Sequence, residues 1–254
     1  MVVHILTYAT HSEGLFEELV NNKFNIKIKV LGWKQKWKGF TDKFIKSLKY
    51  ISTLPDDDII VFLDGFDTII NKNKLKNIEN FLLTSDFKVI FSLDNTDLNF
   101  FQKYLNEIIF KSCSNKLTAN SGLYMGYNKY IQIILKDAIN KKCQDDQVNI
   151  NQLCKQHSFI GIDYDEYLFH NRSKSNQTKS NAMFISYPGT ITISRVKRAF
   201  KEYTQFFILY VIIINLIILI GINLYKDKFL TKTNLINVFM YIIILSVIDK
   251  SCMF

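Results

Sequence analysis

The sequence predicts an α/β domain on a mostly parallel, Rossmann-like sheet, followed by a C-terminal transmembrane helix or hairpin. Three observations predict it. Short β-branched runs alternate with amphipathic stretches through the first two thirds of the chain, as in a sheet built from βα units. The apolar run Ile59–Leu63 ends directly on the acidic segment Asp64-Gly65-Phe66-Asp67. A charge-free run from Phe206 to Leu224 is long enough to cross a bilayer. With 254 residues and 48% hydrophobic content, the chain can bury one sizeable core.

In chain order, Val2–Ala9 reads as the first strand, and Ile26–Leu31 as a strand with one buried face because Ile26, Ile28 and Val30 alternate with Lys27 and Lys29. A helix is expected over Thr41–Leu54, where Phe44, Leu48 and Ile51 recur at helical spacing and Pro55 stops the run. Ile59–Leu63 is apolar on both faces, the pattern of a central strand. Helical patterns return at Lys74–Leu83, Asn99–Ile109 and Tyr130–Asn140. Strands are expected near Lys88–Ser92, Gly122–Gly126, Phe159–Ile162 and Met183–Ile185. The stretch Asn171–Asn181 is polar throughout and reads as a solvated loop.

The division that follows is a globular domain over 1–194, a basic linker over 195–205, a membrane helix over 206–224 and a second hydrophobic segment over 235–248 that can be another span. Of the net charge of +9, more than half lies in the tail, on Arg195, Lys197, Arg198, Lys201, Lys226, Lys228, Lys232 and Lys250 against Glu202, Asp227 and Asp249. Basic residues flanking apolar runs suit anionic headgroups, so the charge argues for a membrane and against nucleic acid. The cysteines, Cys113, Cys143, Cys154 and Cys252, have no zinc spacing, and a Cys143–Cys154 disulfide is one possibility. The first residues lack a basic leader, and the basic residues before the span slightly exceed those after it. Both favour a cytosolic catalytic domain. Asn171-Arg-Ser and Asn176-Gln-Thr are glycosylation acceptors that would report the opposite topology.

Asp64 and Asp67 fall just past a buried strand, where open α/β sheets bind ligands. Two carboxylates so spaced can share a hard divalent cation, or can merely cap a turn. Thr7 ends the first strand with a hydroxyl suited to a base or ribose, or to ordinary strand packing. In Asn120-Ser121-Gly122 a glycine permits close approach beside small polar groups, and a plain turn is the alternative. Of the adjacent acids Asp145 and Asp146, one can bind the donor sugar or act as a base towards an acceptor hydroxyl, or Asp146 can be the N-cap of Gln147–Leu153.

These blocks together resemble the glycosyltransferase domain of procollagen-lysine glycosyltransferases, the sugar-transferring part of multifunctional lysyl hydroxylases. The resemblance runs from Ile5-Leu6-Thr7-Tyr8-Ala9-Thr10-His11-Ser12-Glu13-Gly14, through Val30-Leu31-Gly32-Trp33, Trp37-Lys38-Gly39 and Asp42-Lys43, to Val61–Asp67, Asn120–Tyr127 and Asp145-Asp146-Gln147, in family order over roughly residues 3–190. It implies a GT-A-like nucleotide-sugar-binding domain with Mn²⁺ or Mg²⁺ at Asp64 and Asp67. Thr7, Trp37, Lys43, Phe66, Asn120, Ser121 and Gly122 would face the donor, with Phe66 stacking on the base and Lys43 near phosphate. Asp145 and Asp146 would do the chemistry. Where the family carries a histidine that completes the metal site, this chain has Ser186. A serine hydroxyl or a water, His170, or loss of activity are the alternatives.

The expected reaction is transfer of a hexose from UDP-glucose or UDP-galactose to a hydroxyl, with hydroxylysine or galactosyl-hydroxylysine of a collagen-like protein as the acceptor the resemblance implies. The rival, motivated by Ser186, is a non-catalytic membrane protein that keeps the fold as a binding module.

Overall fold

The structure, a computed structural model, describes residues 1–94, 103, 107, 110–113, 117–141, 143, 145–172, 179–188, 213 and 216. The chain separates into two compact units, Met1–Thr190 and Ile191–Phe254, and the second lies almost wholly outside the described residues.

The main sheet contains β1 (Val3–Tyr8), β2 (Lys29–Leu31), β3 (Ile59–Asp64), β5 (Val89–Leu93), β6 (Ala119–Tyr127) and β7 (Ile160–Asp163), in the order β2-β1-β3-β6-β5-β7. Every strand runs the same way except β6, which is antiparallel to both of its neighbours. A second sheet holds β4 (Thr68–Ile70), β8 (Phe169–Asn171) and β9 (Phe184–Ser186), with β9 in the middle.

Successive side chains of a strand point to opposite faces, and β3 buries both of its faces. Ile60 and Phe62 join the cluster formed with α2 (Asp42–Ile51), α4 (Asn128–Asn140) and α5 (Asp146–Cys154) through Phe44, Ile51, Ile131, Leu135, Ile150 and Leu153. Ile59, Val61 and Leu63 join the other cluster, formed with α1 (Phe16–Val20), α3 (Leu75–Thr84) and the small sheet. The Phe62 ring stacks on Tyr124 at 5.0 Å, and truncating so buried a ring to alanine costs about 3–5 kcal/mol. The Asn128 amide starts α4 and donates to the carbonyls of Ile51, Leu54 and Pro55, tying α4 to the end of α2.

The structure departs from the sequence expectations in four places. Only Lys29–Leu31 of the expected 26–31 strand pairs with β1, because the Asn22 side chain takes up both the N–H and the carbonyl of Ile26 and holds the preceding residues in a turn. Asn171 and Arg172 do not begin a solvated loop: Asn171 ends β8, and both residues are buried. The Asn171 amide donates to Ser92 Oγ and the Leu93 carbonyl, so its nitrogen is enclosed in the fold. Cys154 pairs with Cys113 rather than Cys143. The short elements α1, β4 and β8 were not legible as periodic patterns.

The expected helix Asn99–Ile109, the acceptor Asn176 and the apolar runs 206–224 and 235–248 fall outside the described residues, apart from isolated positions. Among the described residues no helix is long and apolar enough to cross a membrane.

Candidate active site

Residues from three elements converge where β3 ends. The strand turns at Gly65, whose position leaves no room for a side chain: an added Cβ would lie 2.9 Å from both Thr7 Oγ1 and the Tyr8 carbonyl oxygen. The turn presents Asp64, Phe66 and Asp67 in succession. Asp64 is half-buried, and its carboxylate lies against Gly122 of β6, where an added Cβ would stand 3.1 Å from Asp64 Oδ2 and 3.0 Å from Asn120 Oδ1. Glycine therefore lets the two strand ends approach each other. Asn120 Oδ1 accepts from the Gly122 N–H at 2.7 Å, which fixes the Asn120-Ser121-Gly122 segment in the first part of β6, where the pairing with β5 shifts register.

Asp67 is buried, and its Oδ1 accepts from Ser186 Oγ at 3.1 Å and from Thr68 Oγ1 at 3.4 Å. Antiparallel pairing of Thr68 with Ser186 sets this geometry. Ser186 thus stands at the acidic pair, as a donor that orients Asp67. His170 is not brought there. It sits on β8 opposite Ile185, one residue out of phase with Ser186, and its ring engages Ser180 and Glu166. Among the described residues no group of three or more histidine, cysteine, aspartate or glutamate side chains is placed to hold a metal ion. What the turn offers is two carboxylates, Asp64 and Asp67, and the Ser186 hydroxyl, all of them oxygen groups of the kind a hard cation takes.

The second acidic pair divides its labour. Asp145, not Asp146, is the N-cap of α5, accepting from the Val148 N–H at 2.9 Å. Burial, reinforced by the neighbouring Asp146 charge, pushes the Asp145 carboxyl up to about 6. Asp146, released from capping, turns its Oδ2 to both Lys43 Nζ and Ser121 Oγ, and the ammonium also lies 3.4 Å from Ser121 Oγ. Burial works against the Lys43 charge, but Asp146, Asp64 and Asp145 outweigh it and hold the ammonium above its ordinary range. Lys43 is aimed by α2, whose preceding residue Asp42 accepts from the buried Tyr8 hydroxyl at 2.6 Å. Lys43 thus touches the Asp146 carboxylate in this structure.

The remaining candidates are less uniform. The Thr7 hydroxyl is buried and donates to the Leu63 carbonyl at 2.8 Å, which leaves no proton on it for a ligand. Trp37 is exposed in the loop after β2, with its ring edge-on to Phe40 at 5.6 Å. Phe66 is half-buried and carries the His11 ring at 5.3 Å. Sequence reasoning missed Asp94, which follows β5 and accepts from the Gln147 amide at 3.3 Å. The signal was present, since an acid directly after a buried strand is the pattern that singled out Asp64.

A family model, the PLOD GT domain, matches residues 1–186. Two solved structures resemble the chain at low identity. One is a glycosyltransferase involved in the glycosylation of the major capsid of PBCV-1, at 12% identity and a TM-score of 0.48, covering 77% of this chain and 97% of that one. The other is A197 from STIV, at 14% identity and a TM-score of 0.42, covering 61% of this chain and 78% of that one. No curated protein matches. The family model spans well over half of the chain and takes in both acidic pairs, Lys43 and Ser186, so the chain belongs to the PLOD glycosyltransferase-domain family.

Proposed function

We propose that the protein is a metal-dependent hexosyltransferase that moves glucose or galactose from a UDP-sugar to a hydroxyl, with hydroxylysine or galactosyl-hydroxylysine of a collagen-like protein as the acceptor. The observation that carries this reading is the convergence of two acidic pairs, one at the end of β3 and one at the start of α5, with Lys43 between them. Asp64 and Asp67, steadied by Ser186, would hold Mn²⁺ or Mg²⁺. The cation's chemistry is to neutralise the diphosphate as it leaves. Phe66 and Trp37 offer aromatic faces to the base, and Asn120, Ser121 and Gly122 offer polar groups and close backbone approach to ribose or sugar.

Asp146 Oδ1 has no hydrogen-bond partner among the described residues, so it is the oxygen available to an acceptor hydroxyl. In transfer the acceptor oxygen bonds to the sugar's anomeric carbon, the bond from that carbon to phosphate breaks, and UDP takes the electron pair. The hydroxyl proton passes to carboxylate. UDP release should be followed with Mn²⁺ present, using UDP-glucose and UDP-galactose with and without a hydroxylysine peptide. Release from neither donor would reject the reading. The non-catalytic alternative rests on the absence, among the described residues, of a third strong metal ligand. Binding of neither UDP nor Mn²⁺ would favour it.

The tail supports membrane attachment through residues 206–224, which carbonate extraction tests. The Cys113–Cys154 disulfide supports an oxidising compartment for the domain, against the cytosolic side that the flanking charges favour.

A further inference from the structure

α5 lies along the start of β6, and three ties join them in order. At the near end, Asp146 accepts from Ser121. Further along, Asn151, fully buried, closes a double hydrogen bond with the backbone of Ala119: the Ala119 N–H donates to Asn151 Oδ1 at 2.7 Å, and Asn151 Nδ2 donates to the Ala119 carbonyl at 3.0 Å. The same Nδ2 reaches the Gln147 carbonyl at 2.9 Å. At the far end, Cys154 is bonded to Cys113, whose N–H donates to the Leu117 carbonyl at 2.7 Å on the way into β6. Numbers fall along α5 as they rise along the strand. One rigid seam therefore fixes how the helix presents Asp146 and how the strand presents Ser121 and Gly122.

The Asn151 pairing is not needed to form either element. A leucine would fill the same space in a helix, and β6 gets its ladder from β3 and β5. A buried amide that satisfies both backbone groups of Ala119 instead fixes the register of helix against strand, one residue before Asn120-Ser121-Gly122.

We propose that Asn151 and the Cys113–Cys154 disulfide are positioning groups for sugar transfer, acting through Asp146 and Ser121, and that transfer is consequently sensitive to thiol reductants. The inference rests on the proposed reaction for its kinetic readout alone. In the reductive step dithiothreitol supplies two electrons and two protons, the S–S bond opens to two thiols, and the reagent closes to its cyclic disulfide.

The test uses the full chain, oxidised and dithiothreitol-treated, with opening of the pair verified by alkylation of Cys113 and Cys154. The C113S/C154S double variant assigns the effect to this pair rather than to Cys143. Two readouts are taken well below the unfolding temperature of each form: kcat and KM for UDP-sugar, and backbone hydrogen exchange at residues 119–122 and 145–148. The expected result is a fall in kcat of about tenfold or more with little change in KM, on reduction and in Asn151→Leu, and recovery on reoxidation. Exchange should rise at 145–148, the opposite end of α5 from Cys154. Unchanged kcat, or faster exchange confined to the vicinity of Cys113 and Cys154, would overturn the proposal. If the oxidised protein turns over no UDP-sugar, the proposed reaction fails, and the exchange experiment still decides whether the seam holds the two segments.

Discussion

The two acidic pairs solve the same electrostatic problem differently. In each, one carboxylate is committed to the framework: Asp67 accepts hydroxyls from β9 and β4, and Asp145 caps α5. The other faces the site. Asp146 meets a fixed cation, Lys43, in a direct ion pair, whereas Asp64 stays half-exposed and, among the described residues, takes only the Phe66 N–H, at 3.5 Å, as a hydrogen-bond partner. Charge from the same lysine reaches Asp64 without a direct contact. The difference is one of pairing: Asp146 is neutralised within the protein, while Asp64 has no direct ion pair among the described residues.

Variants can break this comparison, and the largest effect is expected at Asp64. Asp64→Asn or Asp67→Asn should lower turnover by about a hundredfold or more while the unfolding midpoint moves little, because each asparagine keeps an acceptor oxygen and removes the charge. Retained turnover after chelation and Mn²⁺ return would show that the β3 pair holds no cation.

Lys43→Met should behave in the opposite sense, as a stability variant first. It leaves the buried Asp146 charge unpaired, a loss of about 3–5 kcal/mol that denaturant unfolding would detect. Adding Asp146→Asn to it should restore much of that stability. No recovery in the double variant would mean that the ion pair is not what Lys43 contributes.

The pH response sharpens the contrast within the second pair. The folded Asp145 carboxyl titrates near 6, above its unfolded value, so the stability it contributes is complete below about pH 4 and is lost as pH rises through 6. Asp145→Asn keeps the cap and removes the titration. Its stability advantage over the wild type should therefore be near zero at pH 4 and grow to about 1–3 kcal/mol at pH 7.5, as read from unfolding at the two pH values. A constant difference would contradict the assignment.

The smallest change is expected at Ser186. Ser186→His should lower the Mn²⁺ concentration for half-maximal activity, since imidazole is the stronger ligand, yet the residue is buried and paired with Thr68, so the gain is limited by fit. An unchanged midpoint would leave Ser186 as a positioning donor to Asp67.

Much of the sheet was legible because central strands carry apolar residues: Ile59–Leu63 reads as an apolar run and is buried throughout, and the strand expected near Lys88–Ser92 forms one residue further on, at Val89–Leu93. Elements of three to five residues, such as β4, β8 and α1, are shorter than a period can establish. Asn171 was misread for a related reason. Its polar neighbours dominate the local composition, while its burial comes from Ser92 and Leu93, distant in sequence. In the site, the positions of Asp64, Asp67 and Ser186 follow from strand ends and their pairing. The division between Asp145 and Asp146 does not, because adjacent acids are equivalent as N-caps until the helix register is known. The Cys113 pairing and the Asn151 seam join distant segments with no motif to announce them.

The central claim is that the acidic pair on β3 and the Lys43–Asp146 pair form one hexosyltransferase site. Its most direct measurement is Mn²⁺-dependent UDP release from UDP-glucose and UDP-galactose by the wild type, Asp64→Asn and Asp146→Asn in parallel. Release from at least one donor is expected of the wild type, abolished by chelation and by each substitution, with Asp146→Asn still binding UDP. Release that survives chelation and both substitutions, or none from the wild type under any metal condition, would contradict it.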